Sequence, residues 1–232
     1  MKKNRIVLCV LLLLSVFMIG CSSDGSGKGS KKKELPTLTY IGHATVKIKT
    51  KDNKVIYIDP YYDDEKQYKE EADYILITHE HSDHNDIDKC KQKEKTVVIR
   101  SADSLVDGEY KTFEYDNLKI EAVPSGGNDN HSTKNCVGYI VTVDGVSIYH
   151  AGDTSMNDGL KEIANKDIDY AMYPIDGIYN MDAEEATKVA DMIGAKNNIP
   201  IHDYDEEGTK KADKFNPKGK LELKYGETIS IK

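Results

Sequence analysis

The apolar run Tyr74-Ile75-Leu76-Ile77 gives way, with no spacer, to Thr78-His79-Glu80-His81-Ser82-Asp83-His84. No other stretch limits the possible folds as sharply. An unbroken apolar run of this kind reads as a strand buried on both faces, inside a sheet covered on each side. The polar cluster must then emerge where that sheet ends. Three of the chain's seven histidines crowd here with Glu80 and Asp83. Close carboxylates repel and packed imidazoles resist protonation, so the cluster is costly unless a cation sits among them. On a helix His79 and His81 would point apart, but a loop leaving a strand can wrap His79, His81, Asp83 and His84 around one centre. Neutral imidazole with carboxylate suits zinc and related divalent metals. A loop of solvated histidines is the plainer alternative.

The remaining β-like runs extend this pattern. Thr37 to Ile41, Thr45 to Thr50 and Val55 to Ile58 are short and separated by Gly, Asp and Asn, as in an antiparallel meander. Strands are expected over Asp73 to Thr78, Thr96 to Arg100, Asp169 to Pro174 and Asn198 to His202. Asp144-Gly145 between Val137–Val143 and Val146–His150 signals a two-residue hairpin. Asp182 is expected to cap a helix running to about Ile193, with Glu185 completing a capping box, and Leu221 to Ile231 to form a closing hairpin. His43, Asp59, His79, Asp153 and His202 each follow a β-like run. Strand ends on one edge of a packed sheet can bring such distant residues together.

Residues 1–20 place Lys2, Lys3 and Arg5 before the apolar run Ile6 to Gly20. That run is shorter than the roughly 20 apolar residues of a spanning helix and reads as a signal peptide. Met18-Ile19-Gly20-Cys21 resembles the lipobox of bacterial lipoproteins, which makes Cys21 the candidate lipidation site. Residues 21–34 are rich in Gly, Ser and Lys and read as a flexible tether. The expectation is a domain over 35–232, lipid-anchored at the extracytoplasmic face of the cell membrane. Without the three positive charges of residues 1–20, the formal charge moves from −8 to −11. An acidic body argues against general nucleic-acid binding. Cys90 and Cys136 form either a disulfide or two free thiols.

Further segments complete a series over residues 38–204. They are Tyr40-Ile41-Gly42-His43-Ala44, Ile56-Tyr57-Ile58-Asp59-Pro60, the stretch from Val123-Pro124 to Val137-Gly138-Tyr139 that carries His131, Tyr149-His150-Ala151-Gly152-Asp153-Thr154, and Ile199-Pro200-Ile201-His202. The series resembles the metallo-β-lactamase fold superfamily. The likeness is greatest to its branch of metal-dependent hydrolases related to L-ascorbate-6-phosphate lactonase, which shares Gly-His-Ala near its start.

The resemblance implies an α/β fold, a four-layer αββα sandwich of two mixed β-sheets with helices outside. It implies that His79, His81 and His131 bind one divalent metal, that Asp83, His84 and His202 bind a second, and that Asp153 bridges them. Zinc is the expected metal, with manganese and iron as alternatives. Asp59 would orient a ligand from behind, while Asp83 and His43 act in catalysis, His43 against substrate or developing charge. His150 would face away in a structural role. The implied reaction is attack by a metal-bridging hydroxide on a lactone, ester or phosphodiester. Aspartate rather than cysteine at the bridging position disfavours β-lactam hydrolysis. The expected substrate is a small or lipid-like molecule. The alternative is a non-catalytic surface lipoprotein that captures metal.

Overall fold

The computed structural model describes residues 35–204 and 212–232. The proposed signal peptide, Cys21 and the tether lie outside these residues. β1 (Thr37–Gly42), β2 (Thr45–Lys49) and β3 (Val55–Ile58) form the expected antiparallel meander. β4 (Ala72–Leu76) and β5 (Gln92–Ile99) then continue it in parallel. A short helix α1 (Ser101–Ser104) and a ribbon of β6 (Leu105–Val106) with β7 (Glu109–Tyr110) lead to the second sheet. That sheet comprises β8 (Thr112–Tyr115), β9 (Leu118–Pro124), β10 (Val137–Val143), β11 (Val146–His150), β12 (Tyr170–Pro174) and β13 (Asn197–Ile201). The last strand, β14 (Glu227–Ser230), returns to pair with β1. The two mixed sheets have the orders β14-β1-β2-β3-β4-β5 and β13-β12-β11-β10-β9-β8.

The two-residue period of the strands decides which side chains meet. Leu38, Tyr40, Val46, Ile48, Ile56, Ile58 and Leu76 face inward against Val137, Tyr139, Val141, Ile148, Met172 and Ile199. The intervening Ile41, Tyr57, Ile75 and Ile77 pack outward with Tyr68 and Cys90. On the second sheet, Ile140, Tyr149, Ala171 and Tyr173 pack outward beneath α2 (Ala183–Ile193). That helix buries Ala183, Ala186, Val189, Ala190 and Ile193, one stripe at helical spacing. It stops at Gly194, in the left-handed conformation at φ 73°.

The Asp144-Gly145 hairpin forms as expected, both residues having positive φ, 54° and 84°. Four expectations need correction. Asp182 caps α2 by accepting from the Glu184 and Glu185 amides, but the Glu185 carboxylate accepts from Met156 N at 3.1 Å instead of closing a capping box. β4 is not buried throughout, since Asp73 and Tyr74 are partly exposed and Asp73 receives Lys93 and Lys54 at 2.8 and 3.4 Å. Residues 221–231 form no hairpin: Leu221 N bonds to Asn198 O at 2.8 Å in one sheet, while β14 crosses to the other. β5 begins earlier than expected, at Gln92, and β8 with β9 adds a hairpin the sequence reading lacked. The helical layer over the first sheet is reduced to the loop 60–71 and one 3-10 turn, Ile87–Lys89. Tyr62 and Tyr68 anchor this cover without an apolar helical period. Cys90 and Cys136 are separately buried free thiols. Among the described residues, no helix is long and apolar enough to cross a membrane.

Candidate metal centre

Parallel neighbours end on the same side, and here those ends carry the polar residues. Asp59 follows β3 and His79 follows β4; Asp153, Asp176 and His202 follow β11, β12 and β13. His43 stands in the β1–β2 turn and His131 in the β9–β10 loop. Two backbone bonds tie the sheets together at this edge: His202 N to His43 O at 2.8 Å and Val137 N to Thr78 O at 3.0 Å.

Ligand atoms of His79, His81 and His131 lie within 4.8 Å of one another. Those of His43, Asp83, His84 and His202 form a second group at the same limit. Asp153 stands between them. Its Oδ1 is 3.4 Å from His84 Nε2, and its Oδ2 is 3.3 Å from His131 Nε2 and 3.6 Å from His202 Nε2. The structure thus gathers the seven sequence-predicted ligands, and His43 joins the second group.

The donor set fits a cation. His79 Nε2, His84 Nε2 and Asp153 Oδ1 are buried without a hydrogen-bond partner. Each orphan of this kind costs about 1–3 kcal/mol, a cost that positive charge beside these atoms would offset. The opposite ring nitrogens are held. His79 Nδ1 is 3.0 Å from Thr78 Oγ1, His84 Nδ1 is 2.9 Å from Asp59 Oδ2, and His131 Nδ1 donates to Tyr179 O at 3.2 Å. His202 Nδ1 lies 3.0 Å from Asp176 Oδ2, an ion-pair distance without good hydrogen-bond alignment. Such backing selects the nitrogen that faces inward. Asp59, His79 and His84 also fall within 4.8 Å. Yet Asp59 meets His84 through Nδ1, and its oxygens accept from Thr78 N and Oγ1 at 2.8 and 2.6 Å. It is therefore a support behind the centre.

Burial, and then His84, push the His79 imidazole down to about 3. Burial alone would also lower His84, but the carboxylates of Asp153 and Asp59 hold it well above its ordinary value. Burial would raise Asp153, yet His84 and His202 hold it well below the usual carboxylate range. Asp83 is likewise depressed: burial would raise it, and His43 Nε2 at 3.2 Å overrides that. His43, Asp59 and His202 all occupy positive φ, at 54°, 48° and 47°. A non-glycine residue there costs about 1–3 kcal/mol, so the fold stores strain at this edge.

Two residues escaped the sequence reading. Asp176 accepts from the amides of Ile178 and Tyr179, both at 2.7 Å, as well as standing behind His202. Asn180 Nδ2 links Asp176 Oδ2 at 2.7 Å to Asp153 Oδ2 at 3.1 Å. The signal available was Ile175-Asp176 after a buried strand, the same arrangement that marked Asp59. Gly126-Gly127 forms a turn beside the centre, where a Cβ on Gly126 would sit 2.8 Å from His131 O. His150 faces away, its Nε2 donating to Ala44 O at 2.8 Å. A cavity of about 200 Å³ opens over the centre, lined by His81, Asp83, Asn130, His131, Asp153 and Tyr179 with His202. A larger cleft of about 630 Å³, at the opposite end of β3, has no imidazole in its lining.

The family described as the beta-lactamase superfamily domain matches residues 37–202. The UPF0173 metal-dependent hydrolase of Natranaerobius thermophilus is 31% identical over 71% of this chain and 82% of its own length. Its counterpart in Thermococcus onnurineus is 33% identical over 70% and 82%. The solved structure of Igni18, a metallo hydrolase from Ignicoccus hospitalis, superposes with a TM-score of 0.68 at 22% identity, covering 85% of this chain and 99% of that one, a likeness of fold. With its two mixed sheets and ordered ligand series, the chain belongs to the metallo-β-lactamase superfamily, within the UPF0173 metal-dependent hydrolase family.

Proposed function

We propose that this protein is a dinuclear metal-dependent hydrolase that cleaves an ester, lactone or phosphodiester. The observation that carries this reading is Asp153, whose two oxygens address histidines of both ligand groups. His79, His81 and His131 would hold one divalent cation, and Asp83, His84 and His202 the other, zinc being the first choice and manganese or iron the alternatives. Cations so held would lower the pKa of a bound water toward about 7 and would polarise the scissile carbonyl or phosphoryl oxygen. In ester hydrolysis the water oxygen bonds to the carbonyl carbon, the carbon–alkoxy bond breaks, and the alcohol leaves with a proton. Asp83 Oδ2 faces His43 Nε2 at 3.2 Å and lines the cavity; in this reading it would take the water proton and return it to the leaving oxygen.

A lipid anchor at Cys21 would hold the enzyme at the extracytoplasmic face of the membrane. Replacing Cys21 by Ser should release the protein from the membrane fraction. The lactonase likeness rests on Gly42-His43-Ala44. It extends to reaction type rather than to a sugar phosphate, which is scarce outside the cytoplasm.

The test is turnover of a lactone, ester and phosphodiester panel by metal-loaded wild type and His43→Ala, with metal content measured on the same samples. The expected loss in the variant is about 100-fold or more at unchanged metal content. Tight metal binding with no turnover across the panel would mark a metal-capturing protein instead.

A further inference from the structure

The side chain of Asn180 does not serve its own turn. An asparagine in a loop ordinarily bonds to nearby backbone and shapes the chain. Here Asp176 does so instead, its Oδ1 accepting from the amides of Ile178, Tyr179 and Asn180 at 2.7, 2.7 and 3.3 Å. The Asn180 side chain, on a residue only 8% exposed, turns to two carboxylates. Its Nδ2 donates to Asp176 Oδ2 at 2.7 Å and to Asp153 Oδ2 at 3.1 Å, which commits both amide hydrogens. Exchanging the amide oxygen and nitrogen would set a carbonyl against two carboxylates, so the network fixes this orientation. The cost falls on Asn180 Oδ1, which is buried and has no hydrogen-bond partner among the described residues. The fold thus forgoes one hydrogen bond to keep the amide on these two oxygens.

The main chain holds Asn180 against Asp153. Met181 N donates to Thr154 O at 3.1 Å, joining the residues that follow each of the pair, and Gly177 N donates to Met181 O at 3.1 Å. The reach of the amide is therefore set by backbone register. This bears on how Asp153 is shared. Its Oδ1 is 3.4 Å from His84 Nε2, while Oδ2 is 3.3 Å from His131 Nε2 and 3.6 Å from His202 Nε2. Rotation of an aspartate carboxylate about its Cβ–Cγ bond is only weakly restricted. That rotation decides whether the two oxygens address both ligand groups or turn toward one. The Asn180 amide pins it and takes up part of the accepting capacity of Oδ2.

We propose that Asn180 is a positioning residue that keeps Asp153 divided between the two ligand groups, so that a second cation binds beside the first. This rests on the dinuclear reading above. Without the amide, the carboxylate would turn both oxygens toward one cation, and the other would lose its shared ligand.

The experiment measures the stepwise zinc affinities of the full chain by chelator competition, in wild type, Asn180→Ala and Asn180→Leu. Leucine fills the space of asparagine without a donor, so agreement between the two variants sets cavity effects aside. Wild type should bind two equivalents. In both variants the first should bind as in wild type, and the second about 10–100-fold more weakly. A variant that merely folds less well would show the opposite pattern, because the first equivalent must then also drive folding. Equal weakening of both equivalents, weakening of the first alone, or a second as tight as in wild type overturns the proposal. One equivalent in wild type would defeat the dinuclear reading and the proposal with it, whereas two in wild type with unchanged affinities in the variants would defeat the proposal alone.

Discussion

Removing the Asp176 carboxylate would leave His202 Nδ1 without the oxygen now 3.0 Å behind it. It would also release the two amides that fix the Ile178–Tyr179 turn. Outer partners of metal ligands set ring orientation, and their loss costs about 10–100-fold in metal affinity. If two cations are held as proposed, Asp176→Ala should weaken one at Asp83, His84 and His202 by that factor, measured by competition with a chelator, while one at His79, His81 and His131 would be retained more tightly. Equal weakening of both would count against the division into two groups. Of the proposed ligands, His79, Asp153 and His202 were legible because each follows a β-like run, His81, Asp83 and His84 because they crowd beside His79, and His131 only through the family resemblance. Asp176 and Asn180 were not, since a single Asp or Asn in a loop usually serves a turn, and their role appears only once β11, β12 and β13 lie side by side.

Each side chain at this edge depends on an element that delivers it. α2 starts at the Asp182 cap and buries one apolar stripe on the second sheet, close behind the Asp176–Asn180 loop. Asp182→Ala removes the acceptor for two amides, at 2.9 and 2.8 Å. The expected cost is about 1 kcal/mol, seen as a lower urea midpoint with metal stoichiometry unchanged; no shift would mean that packing alone sets the helix start. Strands with apolar alternation or Gly-punctuated turns were readable in the sequence. β8, β9 and the first half of β5 were not. Gln92 to Lys95 is wholly polar and exposed at the sheet edge, and it joins β4 only through Gln92 opposite Ala72 before the register shifts. The segment from Leu221 sounded like a hairpin because its residues favour strands, yet its two halves bond to different sheets.

The described residues form two sheets whose inner faces merge into one core and whose ends bring the candidate ligand groups together. That core also excludes charge. Burial pushes the Cys90 and Cys136 thiols up from 9 to about 12, and it raises the buried Tyr139 and Tyr149 in the same direction. A folded-state pKa above the unfolded one gives stability that is full below the unfolded value and lost as pH rises through the folded value. These thiols should make stability fall as pH rises between about 9 and 12, with Cys90 resisting alkylation at pH 8 until urea exposes it. The measurement that bears most directly on the account is an anomalous difference map from metal-loaded crystals, recorded at the absorption edge of the bound metal. Two peaks are expected, one enclosed by His79, His81 and His131, the other by Asp83, His84 and His202, with Asp153 reaching both. A single peak, or peaks away from Asp153, would contradict it.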